Sequence, residues 1–177
     1  MLLQHSVSWQ VDEAEFQIRQ TMEAIEKLGY QTVAIYPCSD PGYQAIVSVL
    51  EEYRNRSYLR LFPNIDFTDF WGLLNVAGAF IGNSSAGVME TPSFRIPFVN
   101  IGIRQQFRLR ANNVIDVGHD RDEIVRAIQL ALFDETVRER VRGCISPYGD
   151  GRASERIVDV IEHLEPGARL LRKQPVY

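Results

Sequence analysis

The sequence predicts an α/β domain built on a parallel sheet with helices on both faces. Short β-branched and aromatic runs alternate with amphipathic stretches of helical period throughout the chain. Glycine, proline or asparagine marks nearly every switch. That rhythm calls for right-handed βαβ crossovers, and so for parallel strands. At 177 residues, with 45% hydrophobic and 24% charged residues, one sizeable core is affordable.

Each element follows in order. Met1 to His5 reads as the end of a first strand. Over residues 11–28, Ala14, Ile18, Met22, Ile25 and Leu28 recur at helical spacing, and Gly29 stops the helix. Residues 32–36 (TVAIY) form a buried strand ended by Pro37. Pro41-Gly42 opens a helix to about Tyr53, and residues 58–62 are a strand closed by Pro63-Asn64. A helix over residues 66–76 carries Phe67, Phe70, Leu73 and Leu74 on one side. Residues 79–81 form a strand running into Gly82-Asn83-Ser84-Ser85, a helix covers 86–94, and strands follow at 98–101 and 114–117. Helices at 124–133, 135–142 and 154–164 complete a domain over residues 1–165, and residues 166–177 are a polar tail.

Ligands of such sheets bind beyond the carboxyl ends of the strands. That rule selects the loops after His5, Tyr36, Phe62, Ile81 and Ile101. The strongest signal among them is Gly82-Asn83-Ser84-Ser85-Ala86-Gly87, where a glycine permits an unusual turn and small polar residues open a helix. Free N–H groups and two hydroxyls there suit an anion. A plain N-cap fits the same residues. Glu90, five or six residues on, suits the paired hydroxyls of a ribose, though a solvated surface glutamate fits as well. Pro92 ends or kinks this helix. Arg104 follows the strand at 98–101 and belongs to the same edge, with Arg108 and Arg110 nearby. His5 is a candidate phosphate donor or a group titrating near neutrality. His119 and His163 read as structural.

Other chemistries find no support. No metal constellation, GxGxxG run or Walker-type lysine loop is present, and no cofactor is expected. A formal net charge of −4 argues against nucleic acid as a partner. No apolar run approaches the ~20 residues needed to span a bilayer. The start has no signal-peptide pattern and Cys38 and Cys144 have no metal spacing, so a cytoplasmic protein with two free thiols is expected. The opening strand end also suggests the second half of a longer polypeptide.

The stretch GNSSAGVMETPSFRIPFVNIGIRQQFRLRANNVIDV closely resembles the UDP-N-acetylglucosamine 2-epimerases, nearest the hydrolysing, sialic-acid-pathway type. The run from Tyr148 to Ile157 is similar to the YGDG-type segment of that family, His5-Ser6-Val7 to its His-Pro-Val, and Tyr36-Pro37 to its Tyr/Phe-Pro. The resemblance implies a GT-B enzyme, of which this chain is the C-terminal, Rossmann-like, nucleotide-binding domain. It implies UDP-N-acetylglucosamine or UDP as ligand, a missing N-terminal domain as partner, and a homo-oligomer in the complete enzyme. By the same match His5 is the active-site histidine, and Gly82, Asn83, Ser84 and Ser85 surround the diphosphate. Glu90 holds the ribose, Arg104 lies beside the ligand, and the loop ending at Ile65 offers backbone groups to the uracil. The family eliminates UDP across C1–C2 of the sugar, and the 2-acetamidoglucal is hydrated to N-acetylmannosamine. The UDP-binding half of a GT-B glycosyltransferase would share the anion site and the ribose glutamate, and a detached domain that binds nucleotide or a partner without turnover is a third reading. Cys38 departs from the usual Asn, Ser6 from the usual Pro, and Gln44 from a basic residue found in some relatives.

Overall fold

A computed structural model describes residues 1–165 and Gly167. Contacts divide the chain into a unit spanning Met1–Pro147 and another beginning at Tyr148. The first holds a six-stranded sheet of β1 (Leu2–Leu3), β2 (Thr32–Ile35), β3 (Leu59–Phe62), β4 (Phe80–Gly82), β5 (Phe98–Ile101) and β6 (Val114–Val117). Every pairing is parallel and the order is β3-β2-β1-β4-β5-β6. The doubly wound α/β class expected from the alternating pattern is therefore the one observed. Chain order reverses between β1 and β4, which opens a crevice at their carboxyl ends.

Period-two alternation explains how both faces are covered. Leu2, Ala34, Ile81 and Val99 join a core with Ile18 and Met22 of α1 (Ala14–Leu28), Ile46 and Leu50 of α2 (Tyr43–Glu52), and Ile124 and Ile128 of α6 (Arg121–Phe133). Phe80 and Phe98 enter a second core with Leu74 of α3 (Phe67–Val76) and Val88 of α4 (Ala86–Met89). Phe80 and Phe98 are tilted rings 5.8 Å apart. The helix α7 (Glu135–Arg142) packs on α6.

Several boundaries moved from their expected places. The first helix begins as a 3-10 turn at Val11–Glu13, and β1 stops two residues short of His5. The segment expected as one helix over 86–94 is two single turns, α4 and α5 (Thr91–Phe94), with Glu90 at their junction. Pro92 explains the break, since it lacks the N–H that a continuous helix would use. In the second unit, α8 (Ala153–Glu162) follows a turn in which Asp150 accepts two hydrogen bonds from Arg156, at 2.8 and 2.7 Å. The expected tail at 166–177 lies outside the described residues apart from Gly167.

Phe107 has φ 65° and is 93% exposed, so a bulky residue holds a left-handed backbone with no packing in return. Phe107→Gly is expected to stabilise the fold by about 1 kcal/mol and raise the thermal midpoint by roughly 3 °C. An unchanged or lower midpoint in a thermal scan would count against that strain.

Candidate active site at the sheet switch point

The crevice between β1 and β4 is built on one close approach. Gly82 has φ 122°, and a Cβ there would lie 2.2 Å from the Leu3 carbonyl oxygen. Only glycine lets β4 run this tightly beside β1 before the chain turns into Asn83 and Ser84. Asn83 is fully buried, and its side chain clamps His5 at both ends. Oδ1 accepts from the His5 N–H at 2.7 Å, while Nδ2 donates to the His5 carbonyl at 2.8 Å. This replaces the ladder that β1 abandons at Leu3. The part of Asn83 in the site is thus to hold His5, both side-chain polar atoms being engaged.

The His5 ring is fixed as well. The backbone N–H of Cys38 donates to Nδ1 at 3.2 Å, so the ring proton of neutral His5 sits on Nε2. Burial, and after it the Arg104 charge, lower the imidazole pKa to about 4 against an opposing contribution from Asp40. At neutral pH His5 is therefore an uncharged N–H donor and not a proton acceptor. Sequence alone suggested a phosphate donor or a group titrating near neutrality; burial beside an arginine moves the titration well below and favours the first.

Arg104 bridges the edge. Its guanidinium donates to the Asn83 carbonyl at 3.3 Å and pairs with Asp40 at 3.4 Å. Gln105 donates to the same carbonyl at 2.8 Å. Ser84 is buried, and its Oγ accepts from the Ala86 N–H at 3.3 Å, a local cap that leaves its own O–H free to donate. The backbone N–H groups of Ser84 and Ser85 have no acceptor among the described residues. Since α4 is one turn, the donors this edge offers are these two amides and the hydroxyls rather than a long helix dipole. Ile65 is half-buried at the end of the loop after β3, just before Asp66 caps α3 through the Thr68 N–H at 3.0 Å.

Glu90 is half-buried, and Trp71 Nε1 donates to its Oε2 at 3.2 Å. Of the arginine cluster, Arg110 is committed to Asp116 at 2.7 Å, whereas Arg108 lines a concavity of about 210 Å³ with Ser6, Asp40 and Arg104. Asp40, Gln105 and Trp71 were missed by sequence reasoning. Asp40 sits in one of the loops the sheet rule selects, so its position was a usable signal. Trp71 lies within a helix read only for its core side.

A cavity of about 260 Å³ also opens at the amino ends of the strands, lined by Ile25, Leu28, Leu73, Ile128 and Leu132 among others. It brings no charged side chain together and lies on the wrong edge for ligands of this fold. Among the described residues no group of His, Cys, Asp and Glu could hold a metal ion, and no helix is long and apolar enough to cross a membrane.

Comparison with known proteins agrees with the motif matches. A family model described as UDP-N-acetylglucosamine 2-epimerase covers residues 1–162. The chain is 30% identical over its whole length to a hydrolysing UDP-N,N'-diacetylbacillosamine 2-epimerase of Legionella pneumophila, covering 46% of that protein. It is 34% identical over 82% of its length to a UDP-N-acetylglucosamine 2-epimerase of Neisseria meningitidis, covering 38% of it. Its fold matches a Neisseria meningitidis UDP-GlcNAc 2-epimerase crystallised with UDP-GlcNAc at TM-score 0.71 and 18% identity, over 91% of this chain and 44% of that one. The chain spans less than half the length of these relatives. It belongs to the UDP-N-acetylglucosamine 2-epimerase family.

Proposed function

We propose that this chain grips the UDP part of UDP-N-acetylglucosamine, as the C-terminal half of a hydrolysing 2-epimerase. What carries the reading is the convergence, at one switch point, of the His5 imidazole, the Ser84 and Ser85 amides and the Arg104 guanidinium, with Glu90 one turn away. The first four suit a diphosphate, the carboxylate suits a ribose, and the backbone of Ile65 is left for the uracil.

In this role the half domain serves the leaving group. Elimination breaks the sugar C1–O and C2–H bonds, releasing UDP and a 2-acetamidoglucal. Water then adds to give N-acetylmannosamine. Charge develops on the diphosphate as C1–O breaks, and preorganised N–H donors stabilise it without reorganising. The proton transfers at carbon belong to groups of the other half. Cys38 and Cys144 are free thiols, which supports a reducing, cytoplasmic setting. In the complete enzyme the two halves close over the sugar and assemble as a homo-oligomer.

Titration calorimetry with UDP tests the assignment. Glu90→Ala is expected to weaken UDP by about tenfold, as for loss of hydrogen bonds to a charged acceptor, and Glu123→Ala by less than about twofold. Equal effects would refute the ribose role. Release of N-acetylmannosamine by this chain alone would refute the division of labour.

A further inference from the structure

Among the described residues, the Glu90 carboxylate has one hydrogen-bond partner, the Trp71 indole. The carboxylate sits at the α4–α5 junction, on a backbone held by the Glu90 N–H to the Ala86 carbonyl at 2.9 Å and by the Ser93 N–H to the Glu90 carbonyl at 3.0 Å. The indole reaches it from α3, an element that also follows directly on the loop ending at Ile65. Phe67 packs edge-on against Trp71, with centroids 5.4 Å apart at 82°, and limits the rotation of the indole. Trp71 is nonetheless 47% exposed, so core packing alone does not account for a tryptophan here.

We infer that Trp71 is a positioning residue for Glu90 and sets the preference of the site for ribose over 2′-deoxyribose. The inference rests on the ribose role of Glu90 proposed above. A glutamate with three free torsions loses rotamer freedom on binding a diol. An indole N–H on Oε2 fixes the carboxylate plane beforehand, leaving Oε1 and the second lone pair of Oε2 for the sugar hydroxyls. The indole contributes less to a 2′-deoxy nucleotide, which keeps only the 3′ hydroxyl as a donor to this carboxylate.

The test measures UDP and 2′-deoxy-UDP affinities for the full chain, Trp71→Phe, Trp71→Gln, Glu90→Gln and the Trp71→Phe/Glu90→Gln double variant. The wild type is expected to favour UDP about tenfold, and Trp71→Phe only about threefold, with 2′-deoxy-UDP affinity changed less than about twofold. Trp71→Gln retains an N–H donor and is expected to recover part of the preference. The double variant should discriminate no worse than Glu90→Gln alone. An unchanged UDP preference in Trp71→Phe, or an equal loss for both nucleotides, would overturn the inference while leaving the ribose reading intact. If the wild type and Glu90→Gln share one ratio, or UDP fails to bind at about 10 mM, the ribose reading itself fails and takes the inference with it.

Discussion

Gly82→Ala is expected to cost about 3–5 kcal/mol, enough to leave most of the chain unfolded or insoluble. The added methyl would sit 2.2 Å from the Leu3 carbonyl oxygen and 2.7 Å from its carbon. Both are backbone atoms, so no side chain can swing aside. Relief requires β1 to separate from β4, and that breaks the Leu3–Gly82 register and the Asn83 N–H bond to Leu3 O at 3.3 Å. The backbone φ of 122° adds strain for any residue with a side chain. Gly29→Ala is the matched control. It has φ 66° with nothing within 4 Å of its Cβ, so it should lose only about 1 kcal/mol. Denaturant unfolding of the two variants separates clash from dihedral strain. Equal losses would mean that the β1–β4 approach is looser than described.

Acid is expected to destabilise the chain through His5 by a comparable amount. The folded imidazole titrates at about 4 instead of 6.5. Below pH 6.5 the unfolded state therefore takes up a proton that the folded state refuses. Stability from this group is complete above pH 6.5 and is lost as pH falls towards 4, by about 2.5 kcal/mol at pH 4.5. His119, whose pKa burial also lowers, acts in the same direction. His5→Gln removes only the first contribution and keeps an acceptor for the Cys38 N–H. Unfolding free energies at pH 7.5 and 4.5 should therefore converge in His5→Gln by that amount relative to the wild type. Parallel pH dependence in the two proteins would mean that His5 is solvated and not buried beside Arg104.

Much of this was legible before the structure. TVAIY and FVNI are largely apolar strands because a parallel sheet buries both faces, and His5, Arg104 and the serines fell on one edge because parallel strands share a direction. Contacts between segments distant in sequence were not legible. Nothing local in Asn83 announces that its amide will splice onto the His5 backbone 78 residues away. Nothing in Cys38 announces that its N–H will choose the tautomer of His5. The Trp71–Glu90 bond spans 19 residues and depends on where α3 lies against the α4–α5 break. Propensity placed the elements; tertiary packing decided which polar atoms were left over for a ligand.

The most direct test of the central claim is a titration of the isotopically labelled chain with UDP, followed by backbone and histidine NMR shifts. The account predicts saturable, millimolar or tighter binding whose largest perturbations fall on His5, Ile65, Ser84, Ser85, Glu90 and Arg104. Perturbations centred on Leu28, Leu73 and Leu132 at the opposite edge of the sheet, or none at saturating UDP, would contradict it.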